Sequence, residues 1–359
     1  MKLFSLPYVV QREVLDLLTI GNIFFLSLCS KNTKNFILRT QKYQLQKIER
    51  IKYHFNGKTR AIRVETVANG CPNVEMVLIN TLDYEEFTKQ IFGPLEEVRV
   101  NELDTAIDFF RSAIFVTDFY AKYCSANMKQ TIAAIHSHLW DLLGNHTKFW
   151  LCSTSREANA LPMLPNIQLI KVFGDSFEPT EIDEFVEGST CLEYLSWLTV
   201  EKTDIELREN SRVYDLHTVY LWSDSRVATD IMKHFNGRHA FLRGSEIDTT
   251  EVIQFLNAWT SGEKYRHLEV ISMENEFRLA EIRDSVELKE LNTKVEFSFI
   301  RKCPEFQPYM SERYSWELKS HLYVVRKSDD RVASVLLTDE RVFMGVWNVE
   351  EKEFLEQFQ

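Results

Sequence analysis

The amino-acid sequence predicts an α+β fold in three parts: a small three-helix module, an α/β repeat-like body and an antiparallel β-rich end. Three observations predict it. The first forty residues have helical spacing, a short apolar strand pattern recurs along the middle of the chain, and the pattern changes period near the C-terminus. We expect the parts at residues 1–45, 46–300 and 301–359. A chain of 359 residues can bury a large core without disulfides or metal ions.

The net charge of −11 hides an uneven distribution along the chain. Residues 1–60 contain 11 Lys and Arg and 3 Asp and Glu, a net charge of +8, whereas residues 61–359 carry a net charge of −19. A strongly acidic chain binds nucleic acid and anionic membranes poorly, so we expect neither as a partner. The basic first part fits a protein partner with an acidic surface better.

The first forty residues have the spacing of three short amphipathic helices. Pro7 stands where a first helical turn accepts proline, Thr19 can cap a second helix, and a third runs through residues 36–38. The aliphatic stripe of the first helix consists of Val10, Val14, Leu17 and Leu18. Three short helices cannot bury so many aliphatic side chains among themselves. They either pack on the rest of the chain or bind a partner.

A strand pattern recurs beyond residue 60, with three apolar residues at relative positions 1, 4 and 6. The copies begin at Val74, Leu95, Ile167, Leu192, Leu216 and Leu268. The starts at 167, 192 and 216 are 25 and 24 residues apart, and the interval from 216 to 268 is 52, or two periods of 26. A period of about 20 to 29 residues indicates leucine-rich-repeat-like stacking. Because the strict asparagine consensus is absent, we predict an irregular solenoid of this kind.

The segments between these strands have helical patterns, clearest at residues 128–143 and 250–259. Near the C-terminus the turn residues Ser328-Asp329-Asp330-Arg331 indicate a β-hairpin. The predicted elements there are strands at 321–327, 332–337 and 341–347 and a helix at 349–358. We expect this antiparallel meander to close the end of the solenoid.

No sequence pattern indicates an active site. Glycine-rich phosphate loops and the G-x-S-x-G motif are missing. His136, His138 and His146 form the one histidine cluster worth testing as a metal site, but positions two apart on a helix face away from each other. Solvated or hydrogen-bonded histidines suit them better. We therefore predict a protein that is not an enzyme and has no cofactor or metal. A hydrolase with a scattered site is the alternative, and it requires a polar pocket.

Cysteine usage and the first residues predict the cellular compartment. The six cysteines are spread along the chain without a C-x-x-C pair, which is typical of reduced thiols. Pro7 interrupts the apolar run from Leu3 to Val10, which is too short for a signal peptide. The run from Ile20 to Cys29 is shorter than the roughly 20 residues that span a bilayer. We expect a cytoplasmic and/or nuclear protein.

The first forty residues resemble an F-box. The resemblance rests on Leu6-Pro7, Glu13-Val14-Leu15 and the run Leu26-Ser27-Leu28-Cys29-Ser30-Lys31. The downstream chain resembles the type 2 F-box-associated domain, best over about residues 190–275, where the segments 216–222 and 268–272 carry the likeness. The two resemblances cover most of the chain, with residues 101–165 matched least well.

The resemblance implies a substrate-recognition subunit of a cullin-RING ubiquitin ligase of the SCF type. The F-box would dock on a Skp-type adaptor and, through it, a cullin, while the second domain would bind an unknown target protein. The alternative is a protein-interaction scaffold that is independent of any ligase. The residues expected to contact the adaptor are Leu6, Pro7, Val10, Val14, Leu15, Leu18, Ile23 and Leu26. For all of them, and most evenly for Leu18 and Leu26, the alternative is a place in the core of the helical module.

Strand alternation predicts the surface that binds the target. If Val219 and Leu221 point inward, Tyr220 and Trp222 point outward. The same alternation yields an outward row of aromatic and cationic side chains: Arg99, Lys171, Phe173, Tyr194, Tyr220 and Trp222. Such side chains dominate the hot spots of protein interfaces. The alternative is that loops or helices cover this face and its aromatic residues belong to the core.

Overall fold

The computed structural model describes residues 3–56, 61–68, 71–80, 98–99, 108–111, 119–123, 128–153, 162–173, 178–199, 206–224, 226–244, 246–298 and 317–358. Side-chain environments are described for residues 3–55, 129–153 and 318–358. Between residues 162 and 298 they are described wherever the backbone is described. The chain forms two compact units. Unit 1 contains Met1–Ser176 and Gly188–Leu192, and unit 2 contains Phe177–Glu187 and Glu193–Gln359. Within the described residues, no helix combines the length and apolar character that crossing a membrane requires.

Unit 1 begins with short helices. After a 3₁₀ turn at Leu3–Ser5, its first α-helices are α1 (Tyr8–Asp16), α2 (Ile20–Cys29), α3 (Lys31–Thr40) and α4 (Lys42–Leu45). The Thr19 hydroxyl accepts a hydrogen bond from the Asn22 backbone N–H at 3.3 Å, so it caps α2 as the sequence predicts. The Ser30 hydroxyl caps α3 in the same way through the Thr33 N–H at 3.1 Å.

The strands of unit 1 form a mixed sheet. They are β1 (Ile48–Asn56), β2 (Ala61–Ala68), β3 (Cys71–Asn80), β4 (Val98–Arg99), β5 (Asp108–Arg111), β6 (Phe119–Tyr123), β7 (Lys148–Ser153) and β8 (Ile167–Phe173), with helix α5 (Met128–Leu143) before β7. Their order is β8-β7-β1-β2-β3-β6-β5-β4. The pairs β1–β7, β7–β8 and β3–β6 are parallel, and the others are antiparallel. The expectation that the copies at Val74 and Leu95 continue one parallel array is therefore wrong, because β4 pairs antiparallel with β5.

One face of this sheet packs against α5, which spans the residues that the sequence predicts. His136 of α5 is buried and donates through Nε2 to the Pro165 carbonyl oxygen at 2.8 Å, which leaves its Nδ1 to accept from the Tyr53 hydroxyl at 3.0 Å. The Phe149 ring of β7 lies 4.7 Å from the His136 ring, centroid to centroid. Odd-numbered side chains of β1 and β7 thus face the helix, and their even-numbered neighbours face the other way.

The N-terminal helices pack against the same helix. Ser27 of α2 lies 2.7 Å from His138 Nε2, both side chains are buried, and Lys34 of α3 forms an ion pair with Asp141 at 3.0 Å. These contacts show that the histidines of α5 are hydrogen-bonded core residues. Among the described residues, no group of three His, Cys, Asp or Glu side chains is placed to hold a metal ion.

Unit 2 combines parallel strands with an antiparallel end. Its helices are α6 (Pro179–Gly188), α7 (Val227–His234), α8 (Thr249–Ser261), α9 (Leu279–Ser285) and α10 (Glu351–Phe358), with a 3₁₀ turn at Arg212–Asp215. The last residue of α6, Gly188, belongs to unit 1. Its strands are β9 (Tyr194–Leu198), β10 (Thr218–Trp222), β11 (His239–Arg243), β12 (Val270–Glu274), β13 (Lys289–Ser298), β14 (Glu317–Val325), β15 (Arg331–Thr338) and β16 (Arg341–Glu350). Their order is β13-β14-β15-β16-β12-β11-β10-β9.

The four strands β9 to β12 are parallel and lie in chain order. They begin at residues 194, 218, 239 and 270. Strand β11 therefore lies between the copies of the sequence pattern that begin at Leu216 and Leu268, which are two periods apart. Gly237 stands two residues before β11, where β10 has the apolar Leu216. A Cβ atom at Gly237 would collide with the backbone oxygen of Leu216. The close approach of these two backbones requires glycine and removes the first apolar residue of the pattern.

The antiparallel end of unit 2 begins earlier than the sequence predicts. The expected hairpin is present as β14 and β15, and β16 pairs with both β15 and β12. The additional strand β13 pairs with β14, although it lies before residue 301. Helix α10 packs on this sheet through the Phe354 ring, which lies 5.7 Å from that of Trp347, and its Glu351 binds Lys289 at 2.7 Å.

We predict that His138 makes the packing of α2 on α5 sensitive to acid. Burial, assisted by nearby Lys34 and opposed by Asp141, lowers the pKa of His138 from 6.5 to about 4. A lowered histidine pKa means that the unfolded chain binds the proton more tightly, so stability is lost as the pH falls from about 6.5 towards 4. At pH 5 this one group should cost about 2 kcal/mol relative to pH 7.5.

The measurement is the free energy of unfolding in urea at both pH values. The loss of stability between them should be smaller by about 2 kcal/mol in His138→Asn than in the wild type. His146→Asn, at an exposed histidine just after α5, serves as the control and should keep the wild-type loss. Equal losses in all three proteins would contradict the prediction.

Candidate functional site

An exposed apolar surface occupies the N-terminal helices of unit 1. We call it the N-terminal apolar surface, and its large side chains are Phe4, Tyr8, Val9, Val10, Leu17 and Tyr43. Leu17 is 86% exposed. The rings of Phe4 and Tyr8 lie 5.7 and 6.1 Å from that of Phe36, which gathers them at one place. Exposed apolar side chains at this density are typical of a protein-interaction site.

The structure divides the residues that the sequence predicts for an adaptor contact. Pro7 and Val10 are exposed. Four others are half-buried: Leu6, Val14, Leu18 and Leu26. Leu15 and Ile23 are fully buried, which matches the alternative of a place in the core of the helical module. Both alternatives that the sequence left open, packing on the chain and an apolar surface free for a partner, therefore apply to these helices. They pack on the chain through one set of side chains and present another set to solvent.

Exposed cations outnumber exposed carboxylates on the described part of these helices, where Glu13 and Asp16 are also exposed and Asp16 pairs with Arg12 at 3.8 Å. The exposed cations of the first 47 residues that the structure describes are Arg12, Lys31, Arg39, Lys42 and Lys47. Lys47 lies over the Tyr43 ring, with its Nζ 4.3 Å from the centroid, so cation and aromatic side chain form one patch. An acidic protein surface complements this arrangement.

Comparison with protein families identifies this region. The family model that matches is the F-box domain, over residues 3–45. Residues 3–45 form an F-box domain. An F-box implies binding of a Skp-type adaptor and is typical of the substrate receptors of SCF ubiquitin ligases, which are typically not catalytic themselves. The C-terminal region has no family assignment, and no curated protein and no solved structure matches the chain.

A second candidate surface lies on the parallel strands of unit 2. Register places equivalent residues of β10, β11 and β12 side by side, Tyr220 with Phe241 and Ser272, and Trp222 with Arg243 and Glu274. We call these six residues the aromatic-cation surface. Five of them line a shallow depression, and Trp222 borders it through its contact with Arg243.

Contacts within the aromatic-cation surface fix its charged group. The Arg243 guanidinium lies over the Trp222 ring at 4.1 Å from the centroid, and Glu274 forms an ion pair with it at 3.8 Å. The Tyr220 ring lies 6.4 Å from that of Phe241. Tyr220, Trp222, Arg243 and Glu274 are half-buried, so their outer parts reach solvent. A stacked guanidinium beside aromatic rings can bind a protein segment through apolar contact and hydrogen bonds at once.

The other residues predicted to bind a target lie in different surroundings. Tyr194 is only 9% exposed and packs against the His217 ring at 5.5 Å, so its expected exposure is wrong. Lys171 is 8% exposed, which contradicts the same expectation, and it lies over the half-buried Phe173 ring at 4.6 Å. Lys171 and Phe173 belong to unit 1. The side chain of Arg99 lies outside the described residues.

Sequence reasoning missed Phe241 and Arg243, because Gly237 breaks the apolar pattern of β11, the strand that carries them. Dividing the interval of 52 residues into two would have placed a strand near residue 242. Alternation would then have put Phe241 and Arg243 on the same face as Tyr220 and Trp222. The signal was present in the spacing of the flanking copies.

We predict that truncation of Leu15 lowers the free energy of unfolding much more than truncation of Leu17, two residues away. Leu15→Ala leaves a cavity in the core and should lower the free energy of unfolding by about 3 kcal/mol. Leu17→Ala removes a side chain that already faces solvent and should change it by less than about 0.5 kcal/mol. Chemical denaturation of the two variants tests this, and a large loss in Leu17→Ala would contradict the exposure of the N-terminal apolar surface.

Proposed function

We propose that the chain is a non-catalytic substrate receptor of an SCF-type ubiquitin ligase. Its F-box docks on a Skp-type adaptor and, through it, on a cullin, while the aromatic-cation surface of unit 2 holds the target protein. The observation that carries the proposal is the exposed apolar surface within the F-box match. Tethering a target in this way raises the local concentration of its lysines at the ligase without any chemistry by the receptor itself.

The docking role rests on exposure and charge together. The proposed contact uses Pro7 and Val10 with the newly found Tyr8, Val9 and Leu17. The half-buried Leu6, Val14, Leu18 and Leu26 border it. Burying apolar surface on a partner contributes about 25 cal/mol per Å², before the entropy cost of association is subtracted. The surrounding cations favour an acidic adaptor and speed its association.

We predict that Val10→Asp combined with Leu17→Asp weakens adaptor binding at least about tenfold, because each change places a charge in a contact that excludes water. Both side chains are exposed, so the melting temperature should stay near that of the wild type. Pull-down of purified adaptor by the full chain measures the effect. Met163→Asp, at an exposed apolar residue of unit 1 outside the F-box, is the matched control and should bind normally.

Unchanged pull-down by the double variant would rule out this docking surface. Failure of the wild-type chain to bind any adaptor or cullin would favour the scaffold that is independent of a ligase.

We also propose that β9 to β12 and their helices form an irregular leucine-rich-repeat-like array, which an antiparallel meander closes. Parallel strands in chain order, with a 3₁₀ turn, α7 and α8 between them, support it. Arrays of this kind leave one sheet face without helices, and such faces are common binding surfaces. The aromatic-cation surface lies on the face opposite the buried Val219 and Leu221, where Tyr220 and Trp222 are half-buried.

We predict that Trp222→Ala combined with Arg243→Ala reduces the amount of target protein that purifies with the chain. The two changes delete the stacked pair and should reduce target recovery at least about tenfold, the scale of an interface hot spot. Affinity purification with the proteasome inhibited, followed by quantitative mass spectrometry, measures recovery. Adaptor recovery should not change, because the F-box is intact.

Arg238→Ala is the control for this experiment. Arg238 directly precedes β11, at the end opposite Arg243. It is exposed and, like Arg243, pairs with a glutamate, Glu269, at 3.1 Å. This variant should retain the captured set. Equal losses of target recovery in Arg238→Ala and the double variant would rule out the aromatic-cation surface as the target site. A large drop in the melting temperature of the double variant would rule it out as well.

A further inference from the structure

The N-terminal apolar surface contains three aromatic rings that contact each other. Phe4, in the 3₁₀ turn, is 53% exposed, and Tyr8, at the start of α1, is 61% exposed. Both rings meet the half-buried ring of Phe36 on α3 edge to face, with interplanar angles of 69° and 81°. We call Phe4, Tyr8 and Phe36 the aromatic cluster. Phe4 and Phe36 have no part in the adaptor contact proposed above.

The edge-to-face contacts leave most of the two outer rings uncovered. Phe36 shields part of Phe4 and of Tyr8 from water, and the remaining ring surface is open to a partner. Aromatic side chains carry much of the binding energy at protein interfaces, because they bury a large area and have few rotatable bonds to fix. The aromatic cluster is therefore suited to anchor a partner.

A buried glutamine fixes the segment that carries Phe4. The Gln11 side chain is 9% exposed, and its Nε2 donates a hydrogen bond to the Leu6 carbonyl oxygen at 2.6 Å. The Leu6 backbone N–H donates to the Leu3 carbonyl oxygen at 3.1 Å, which closes the 3₁₀ turn. Among the described residues, no side chain caps α1, whose N-cap residue is Pro7. The Gln11 hydrogen bond thus links α1 to the turn that precedes it.

Two restraints therefore act on the exposed rings before a partner arrives. Gln11 restrains the backbone of the turn, and Phe36 restrains both rings through edge contacts. A binding element that is already ordered in the free protein loses less conformational entropy on association. More of the contact energy then appears as affinity.

The position of the aromatic cluster indicates its partner. All three rings lie within residues 3–45, which match the F-box domain, and Tyr8 is followed on α1 by the exposed Val9 and Val10 of the proposed adaptor contact. The cluster thus continues that contact towards the N-terminus.

The charges beside the aromatic cluster indicate the chemistry of the surface that meets it. Along α1 and from residue 36 to the end of α3, the charged side chains are Arg12, Glu13, Asp16 and Arg39, two of each sign. Arg12 and Asp16 form a solvent-exposed pair at 3.8 Å, which is a weak interaction. The balance of charge here favours an apolar surface over a charged one.

We propose that Phe4 and Tyr8 insert together into an apolar cleft of the Skp-type adaptor, and that Gln11 and Phe36 are positioning residues for this pair. The inference rests on the proposed receptor function and deepens it, since it names the ring-accepting, apolar character of the adaptor surface. The pair acts as one anchor because both rings contact Phe36.

Surface plasmon resonance with the full chain and purified Skp-type adaptor tests the anchor. Phe4→Ala and Tyr8→Ala should each weaken binding about tenfold, the scale of an interface hot spot. Both side chains are exposed, so the melting temperatures should stay near that of the wild type. Tyr43→Ala is the matched control, because Tyr43 is 72% exposed but lies on α4 outside the proposed contact. It should bind within about threefold of the wild type.

A double-mutant cycle tests the positioning residues. Gln11→Met removes the hydrogen-bond donor at similar length, and Phe36→Leu removes the ring that Phe4 and Tyr8 contact. Each should weaken binding about three- to tenfold in the wild-type chain, and by less than about twofold once Phe4 and Tyr8 are both alanine. Equal weakening in both backgrounds would show a merely structural role and would overturn the positioning. If a variant of the buried Gln11 fails to fold, Phe36→Leu still decides the cycle.

The outcomes separate the anchor from the receptor function. Normal adaptor binding by Phe4→Ala and Tyr8→Ala, with weak binding by the variant of Val10 and Leu17, would overturn the anchor and leave the proposed function standing. Failure of the wild-type chain to bind any adaptor would overturn both.

Two other occupants of the aromatic cluster are tested in parallel. Sedimentation of the chain reports self-association, and flotation with phosphatidylcholine–phosphatidylserine vesicles reports membrane binding. If Phe4→Ala and Tyr8→Ala abolish either of these while adaptor binding is unchanged, the rings serve a second copy of the chain or a membrane, and the proposal is overturned.

Discussion

Alternation of side chains along β-strands is the constraint on which both units depend. Each strand must bury one set of side chains, and the alternate set then points to the opposite face. In unit 1, Tyr53 and Phe149 contact α5, which sends Lys52 and Trp150 the other way. In unit 2, burial of Val219 and Leu221 presents Tyr220 and Trp222. The core thus determines which side chains lie on the opposite face of each sheet.

Much of the fold could be predicted from the sequence, because local spacing carries it. The strand pattern located β8, β9, β10 and β12, and helical spacing located α5 to the residue. Pairing between distant strands leaves little local signal, so the antiparallel pairing of β4 and the addition of β13 to the C-terminal sheet were not predictable. At β11 the pattern itself is broken, because the tight backbone approach at Gly237 excludes an apolar side chain.

The F-box motif is local and could be predicted, whereas exposure within it depends on tertiary packing. Leu15 and Leu17 stand on the same helical segment, yet only the first contacts the core. Sequence cannot show which of the two turns toward the rest of the chain. For the same reason Lys171 and Tyr194 were expected at the surface. Alternation assigns them to the outer face, but neighbouring side chains on that face cover most of each.

A cation stacked on an aromatic ring recurs in both units, at Arg50 on Trp150, Lys171 on Phe173 and Arg243 on Trp222. A ring orients a cation without neutralising it, and Arg50 and Arg243 also pair with carboxylates, Glu49 at 3.4 Å and Glu274 at 3.8 Å. At physiological ionic strength charges are screened over about 8 Å, less than the length of a typical strand. A group at either face therefore responds to the charges within that distance, the paired carboxylates included, rather than to the net charge of the chain.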